Sequence, residues 1–400
     1  MKSEWTYRPL GELVSFASGG TPSKKRDDYW GGTIPWISAK TLKTENIDTS
    51  DLFITEEGLK AGSKIAPKGS ILLLTRGSGL FNGIPIARVE KDVAFNQDIK
   101  CLDSYGEVEN EFIFYWLLSQ KDYLMAKVGV TGIGAGKFDL DFLQKLMIPI
   151  PSERERKSIV GFASSISEKI RCNAKVNDNL EQQAVALFKS WCVDFSLFGG
   201  TVPENWEDTT LENITTLITR GIAPKYSDNS DQTVVNQKCI RNHTIDLSLA
   251  RTHTPKAINE KWLKFGDLLI NSTGDGTLGR VAQVWFAPKA LTVDSHVTIV
   301  RPAREELIFY IGLWGILHEK EIESLHTGST GQTELPRDRV KKLKLLLPDN
   351  ISLSRFNSII APMASTIISN QEENQKLASL RDTLLPKLMS GEIDVSSIQL

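Results

Sequence analysis

Four hundred residues are too many for one compact core and suggest two or three domains, each large enough to fold alone. A composition that is 40% hydrophobic and 24% charged is that of ordinary globular protein, and no apolar run approaches the ~18 residues of a membrane-spanning helix. A formal net charge of −2 excludes a uniformly basic nucleic-acid binder, so if DNA is bound its cations must be gathered on one face or supplied by a partner.

The start, Met1-Lys2-Ser3-Glu4-Trp5, has neither the basic nor the apolar segment of a secretory signal, which gives a cytoplasmic expectation. Ser18-Gly19-Gly20-Thr21-Pro22-Ser23-Lys24-Lys25-Arg26 is a small, flexible, basic loop. The turn at Lys68-Gly69 feeds Ile71-Leu72-Leu73-Leu74, an apolar run that reads as a buried strand, and the loop after it carries Arg76, Ser78 and Asn82. Phe112 to Leu118 is an apolar helical segment. Thr131-Gly132-Ile133-Gly134 opens a Gly-rich loop that ends at Lys137, and Ile148-Pro149-Ile150-Pro151 is a strand stopped by proline.

After Pro151 apolar residues fall three and four apart, the spacing of a long helix with a narrow packing seam: Ile159, Ala163, Ile166, Ile170, Asn173, Asn177, Leu180, Ala184, Leu187 and Trp191. Ser196 to Pro203, with Gly199-Gly200, reads as a linker. The chain then repeats itself at a period of about 197 residues. Thr219-Arg220-Gly221-Ile222-Ala223-Pro224-Lys225 answers the first basic loop, and Phe265-Gly266-Asp267-Leu268-Leu269-Ile270-Asn271 answers the first buried strand. The loop after it offers Asn271, Ser272, Thr273 and Arg280. Leu307 to Leu313 answers the apolar helix, Thr327-Gly328-Ser329-Thr330 the Gly-rich loop, and Leu345-Leu346-Leu347-Pro348 the closing strand.

A second helical seam follows: Phe356, Ile360, Met363, Ile367, Asn370, Asn374, Leu377, Arg381, Leu384 and Leu388. Forty helical residues span about 60 Å, so each helix needs a partner along its length, and the other copy is the obvious one. Pairing antiparallel would set Asn173 against Asn374, Asn177 against Asn370, Ile170 against Leu377, Leu180 against Ile367 and Trp191 against Phe356. The buried asparagines would penalise slipped registers. Arg381 then opposes Ile166, which requires its stem on the seam and its guanidinium in water or on a partner. Pro362 and Pro386 predict a bend or break in the second helix.

The chemistry-bearing motifs fail on context. Gly132 to Phe138 lacks the first glycine of a P-loop and puts Phe138 where a Mg²⁺-binding hydroxyl belongs. Gly274-Asp275-Gly276-Thr277-Leu278-Gly279 matches a dinucleotide fingerprint, even with Asp294 downstream, yet Pro288 and strand-like Val281 and Val284 leave no room for the helix that must follow, so a turn between strands is expected. Asp98-Ile99-Lys100 is the nearest approach to a nuclease carboxylate-lysine set, and a strand-end ion pair explains it more simply. His243, His253, His296, His318 and His326 have no metal-ligand spacing, Cys101, Cys172, Cys192 and Cys239 form no C-x-x-C, and no amino-methyltransferase tetrapeptide of Asn or Asp, two prolines and an aromatic occurs. The side chains that remain suit DNA. Arginine bridges guanine, asparagine bridges adenine and lysine neutralises phosphate. The candidates are Lys24, Lys25, Arg26, Arg76, Ser78, Asn82 and Lys137 in the first copy, and Arg220, Lys225, Asn271, Ser272, Thr273 and Arg280 in the second.

Over essentially its whole length the chain resembles the specificity subunits of type I restriction-modification systems. The resemblance lies in Trp5-Thr6-Tyr7-Arg8-Pro9-Leu10-Gly11-Glu12-Leu13, Gly19-Gly20-Thr21-Pro22-Ser23, Tyr29-Trp30-Gly31-Gly32-Thr33-Ile34-Pro35-Trp36-Ile37-Ser38 and the terminal Leu384-Leu385-Pro386-Lys387-Leu388-Met389-Ser390-Gly391-Glu392-Ile393. Before each helix the family's frequent Pro-Pro-Leu-x-Glu-Gln is replaced by Pro151-Ser152-Glu153-Arg154-Glu155-Arg156 and by Pro348-Asp349-Asn350-Ile351-Ser352-Leu353.

The resemblance implies a mixed α+β fold. Two target recognition domains, 1–150 and 196–348 with its linker, would each be followed by a helical spacer, 151–195 and 349–400, and the spacers would pair as an antiparallel coiled coil. It also implies no catalytic residue and no cofactor or metal on this chain. The expected partners are double-stranded DNA, two methyltransferase subunits carrying S-adenosylmethionine, and restriction subunits using ATP and Mg²⁺, with no membrane. A fused nuclease or methyltransferase and a coiled-coil adaptor that never touches DNA are the competing classes.

Overall fold

The computed structural model describes residues 5–132, 134–274, 276–328 and 333–394. Ile133, Asp275, Ser329 and Thr330, which belong to the Gly-rich loops and the fingerprint-like turn, lie outside them. The chain forms two compact units, residues 1–171 with 374–400, and residues 172–373. Each unit therefore holds one globular domain and one half of each long helix. No helix among the described residues is long and apolar enough to cross a membrane.

In the first unit the central sheet runs Val14–Ser18, Ile99–Ser104, Ile71–Leu74, Ile86–Val89, Asn46–Ile47, antiparallel except at its last pairing. Ile71 to Leu74 are all fully buried, because both faces of this strand are covered, and that is why its sequence is a continuous apolar run and not an alternation. A second sheet runs Phe53–Ile54, Trp30–Ile37, Val93–Phe95, Lys64–Ala66, with Val93–Phe95 parallel to Trp30–Ile37. The apolar helix Asn110–Ser119 buries every residue from Phe112 to Leu118. The closing strand Met147–Ile150 returns to pair with Thr6–Pro9.

The second unit repeats this plan. Its sheet runs Thr215–Arg220, Val297–Pro302, Leu268–Asn271, Val281–Gln283, and Leu291–Val293 lies parallel to Thr233–Val235 in the smaller sheet. Leu268–Asn271 and Val281–Gln283 are antiparallel neighbours, so the fingerprint-like glycines between them belong to a strand connection, as expected, and not to a nucleotide loop. Lys344–Leu347 closes on Glu207–Thr210.

The long helices are Glu153–Cys192 and Asn350–Met389. Neither start carries the family's usual residues, yet both are capped. Ser152 accepts from the Glu155 amide at 3.4 Å while Glu155 accepts from the Ser152 amide at 3.0 Å, a reciprocal box that satisfies donors at the helix start. Asp349 accepts from the Ile351 and Ser352 amides at 2.8 and 3.0 Å. Hydrogen bonds from Ser352 hold the Asp349 carboxyl below its ordinary range.

The second helix runs unbroken through Pro362 and Pro386, against the predicted break. Both prolines are exposed. An interior proline costs about 3 kcal/mol, which burial of Ile360, Ala364, Leu385 and Leu388 on the other face outweighs.

Candidate nucleic-acid interface and helix seam

At the end of its central sheet the first unit builds a small ledge from Gly129–Val130, Gly136–Lys137 and Arg76–Gly77. Arg76 and Lys137 are directly opposed across it, so the two cations share a face. The turn Ser78–Phe81 packs in behind, and a side-chain atom at Gly136 would meet Leu80 at 2.9 Å and Val128 at 3.0 Å, which is why that position is glycine. Arg76, Ser78, Asn82 and Lys137 are all exposed.

Lys100 joins this cluster, its ammonium donating to the Ser18 hydroxyl. Burial, then the charges of Arg76 and Lys64, hold its pKa below the ordinary lysine value. Among the described residues no ion pair is found for Arg76, Lys100, Lys137 or Lys64. Such a concentration of like charge favours an anion. The strand-end ion pair expected at Asp98 and Lys100 does not form: Asp98 accepts from the Asn96 amide group at 3.2 Å within a turn. Lys24 and Lys25 are exposed in their loop, whereas both branches of the Arg26 guanidinium are engaged by Asp28, at 2.8 and 2.7 Å.

The second unit has the same ledge with other side chains. Glu334 bridges antiparallel to Thr273 and Thr327, as Lys137 does to Arg76 and Gly129. The Leu335 amide donates to the Ser272 carbonyl at 2.8 Å, and the Phe138 amide to that of Thr75 at 3.0 Å. Arg220 donates to the Glu334 carboxylate and, at 2.9 Å, to the Leu335 carbonyl. Thr273 lies 2.7 Å from His296 Nδ1, and Arg280 donates to the Gly276 carbonyl at 2.7 Å. Lys225 is exposed.

Asn271 and Ser272 correct the expectation that they face DNA. Both are fully buried. Asn271 donates to the Gln237 carbonyl at 3.0 Å, and the Ser272 hydroxyl lies 2.6 Å from that of Thr298, so both hold the loop from within. Lys64 and Glu334 are absent from the sequence-based candidates, and Lys100 enters there only as part of a nuclease-like set. The signal for Glu334 was the repeat itself, since an offset of about 197 from Lys137 lands on it.

The helix seam is polar at its centre. Within the second unit Asn370 donates to the Asn177 side-chain oxygen at 2.8 Å, Asn177 donates to the Ile367 carbonyl at 3.4 Å, and Asn173 donates to Glu373 at 2.7 Å. In the first unit Asn374 donates to the Ile170 carbonyl at 3.3 Å. Asn173 and Asn177 are buried, so a slipped register would strand their amides against apolar side chains. Ile166, Ala184 and Ile367 are buried, and Ile170, Leu180 and Leu377 are half-buried between turns. Toward the helix ends the burial moves one residue on, to Phe188 and Leu385 where Leu187 and Leu384 were expected, because there each helix also covers its globular domain; Ala364 is likewise buried beside the half-buried Met363.

The two domains hold their helices differently. In the second unit Trp191 stacks edge-on to Phe356 at 5.7 Å, and Phe188 meets Tyr310 at 5.3 Å. In the first, Ile159, Ala163, Leu385, Leu388 and Met389 join the domain core. There Arg381 corrects its expected route to water or a partner: its buried guanidinium pairs with Glu45 at 2.6 and 3.1 Å and reaches Ser167 at 3.2 Å. Burial pushes the Glu45 carboxyl up, but Arg381 and then Lys121 outweigh it and leave the group below the carboxylate range. Arg156 adds a second pair, with Glu109 at 2.8 Å. Among the described residues no three His, Cys, Asp or Glu side chains are grouped to hold a metal ion.

Comparison with known proteins bears on what these ledges serve. A family model described as the type I restriction modification DNA specificity domain matches residues 2–182. The specificity subunit of the type I restriction enzyme MjaIX from Methanocaldococcus jannaschii is 27% identical, over 99% of this chain and 95% of its own. That of EcoR124I/EcoR124II from Escherichia coli is 31% identical over 40% of each chain. Among solved structures, the S subunit of a type I restriction-modification system from M. genitalium covers 96% of both chains with a TM-score of 0.55 at 17% identity, a likeness of fold.

Proposed function

We propose that this chain, similar over nearly its whole length to the specificity subunit of a type I restriction enzyme and matching the DNA specificity domain over residues 2–182, reads a DNA site in two halves, one at each ledge, and brings no catalytic centre of its own. The observation that carries this reading is the ledge itself. One backbone arrangement occurs in both units and presents side chains at corresponding places, exposed Arg76 with Lys137 in one and half-buried Thr273 with exposed Glu334 in the other. A shared scaffold with divergent exposed groups is what two different half-sites require, since backbone contacts position a protein and side chains at base edges specify.

The seam asparagines fix one register of the paired helices, and a fixed register is what a constant spacer between two half-sites needs. The remaining surface of those helices docks two methyltransferase subunits. S-adenosylmethionine belongs to them, ATP and Mg²⁺ belong to restriction subunits, and the assembly acts in the cytoplasm. Partner charge also offsets the near-neutral balance of this chain.

The test is retardation of mixed duplex DNA as salt is varied, with and without the methyltransferase partner. Binding should weaken linearly in log K against log salt. An assembly that forms with the partner yet never retards DNA would make the chain an adaptor.

A further inference from the structure

We propose that Glu334, held in place by Arg220, is a base-reading group of the second unit and accepts the amino hydrogens of a cytosine in the major groove. The inference rests on the reading of DNA by the two ledges and goes one residue further. In the first unit the ledge is a cluster of cations without ion-pair partners among the described residues, suited to phosphate and, through Arg76, to a guanine edge. In the second the corner corresponding to Lys137 is a carboxylate, more than half exposed at 56%, while the arginine that grips it is exposed at only 24%. The pair is therefore arranged with its cation inward and its anion outward.

An outward carboxylate repels phosphate, so this corner does not serve the backbone. Among major-groove base edges, the cytosine amino group is the donor that suits a carboxylate. Glu334 Oε1 takes the Arg220 hydrogen, and Oε2 is left to take one from the base. The second bond of Arg220, to the Leu335 carbonyl at 2.9 Å, ties the strand carrying Glu334 to the edge of the sheet. Arg220 is thus a positioning residue.

The test uses the complex with its methyltransferase subunits and a panel of duplexes, each altered at one base pair of the methylated site. The wild-type complex should lose about tenfold to hundredfold in affinity when one C·G pair in the second unit's half is replaced. Glu334→Gln keeps an acceptor for Arg220 but presents an amide, so it should shift preference toward adenine at that one position. Arg220→Ala should blunt discrimination at the same position. Glu334→Asp, which keeps the charge, should weaken discrimination there without switching it. Unchanged base preferences in E334Q and E334D, or a loss spread evenly over all duplexes, would overturn the proposal and leave the pair a fold contact. Failure of the wild-type complex to bind any duplex would instead remove the DNA-reading model beneath it.

Discussion

The two units share a strand order, a closing strand and a ledge, and differ in the charge they expose on it. In the first, Arg76 opposes Lys137 with Lys100 close behind. In the second, Thr273 opposes Glu334, and the nearby guanidinium of Arg220 is turned inward. Backbone plan and surface chemistry are thus separable at the paired positions 76, 137, 273 and 334, because the main-chain bonds that hold the ledge do not depend on which side chain stands there. The units differ again in how they grip the long helices. The first uses ion pairs made by little-exposed arginines, Arg381 with the partly buried Glu45 and Arg156 with the exposed Glu109; the second uses a cluster of aromatic rings.

The largest effect should come from discharging the first ledge. Arg76→Ala with Lys137→Ala removes two cations, which should lower affinity by roughly several hundredfold at low salt and reduce the slope of log K against log salt by about 2. The matching changes in the second unit, at Thr273 and Glu334, should leave the slope unchanged or slightly steeper. Equal loss of slope from both would erase the distinction.

The second comparison breaks at acid pH. The Glu45 carboxyl sits below its unfolded pKa, so its stabilisation is complete above the unfolded value and is lost as pH falls through the folded one. Protection of 153–171 and 374–389 from hydrogen exchange, taken relative to the intrinsic rate at each pH, should therefore fall on acidification before that of 350–373. At neutral pH Glu45→Gln, which leaves Arg381 only its pair with Asp382 at 3.0 Å, should cost roughly 1 to 3 kcal/mol in denaturant unfolding. Simultaneous loss of protection in both units would contradict the ion-pair account of the first.

Smaller changes sharpen the picture. Replacing Asn173, Asn177, Asn370 and Asn374 with leucine should raise thermal stability by roughly 1 kcal/mol while admitting slipped registers, seen as a blurred spacer in the methylated site. One sharp spacer length would show that these asparagines do not set the register. Lys100→Met should gain a few tenths of a kcal/mol in thermal unfolding by removing a partly buried charge and, second, its repulsion from Arg76 and Lys64, yet weaken DNA binding.

The fold was legible wherever side-chain burial dictated it. The repeated apolar strands, the apolar helices and the forty-residue seams announced their elements by period alone. The ledge was half legible. Arg76 and Lys137 lie some sixty residues apart, and nothing local in either loop shows that they oppose one another. Asn271 misled because its residue type suits adenine. Its counterpart in the repeat is Leu74, a core position, and burial followed the position and not the residue type. The destination of Arg381 depended on Glu45, more than three hundred residues away, which no periodicity reveals.

The most direct measurement of the central claim is the methylated motif of a host carrying this chain with its methyltransferase, before and after residues 1–150 are exchanged for those of another specificity subunit. The account predicts a two-part motif in which one half changes while the other half and the spacer stay fixed. A motif that changes in both halves, or that has no second half, would contradict it.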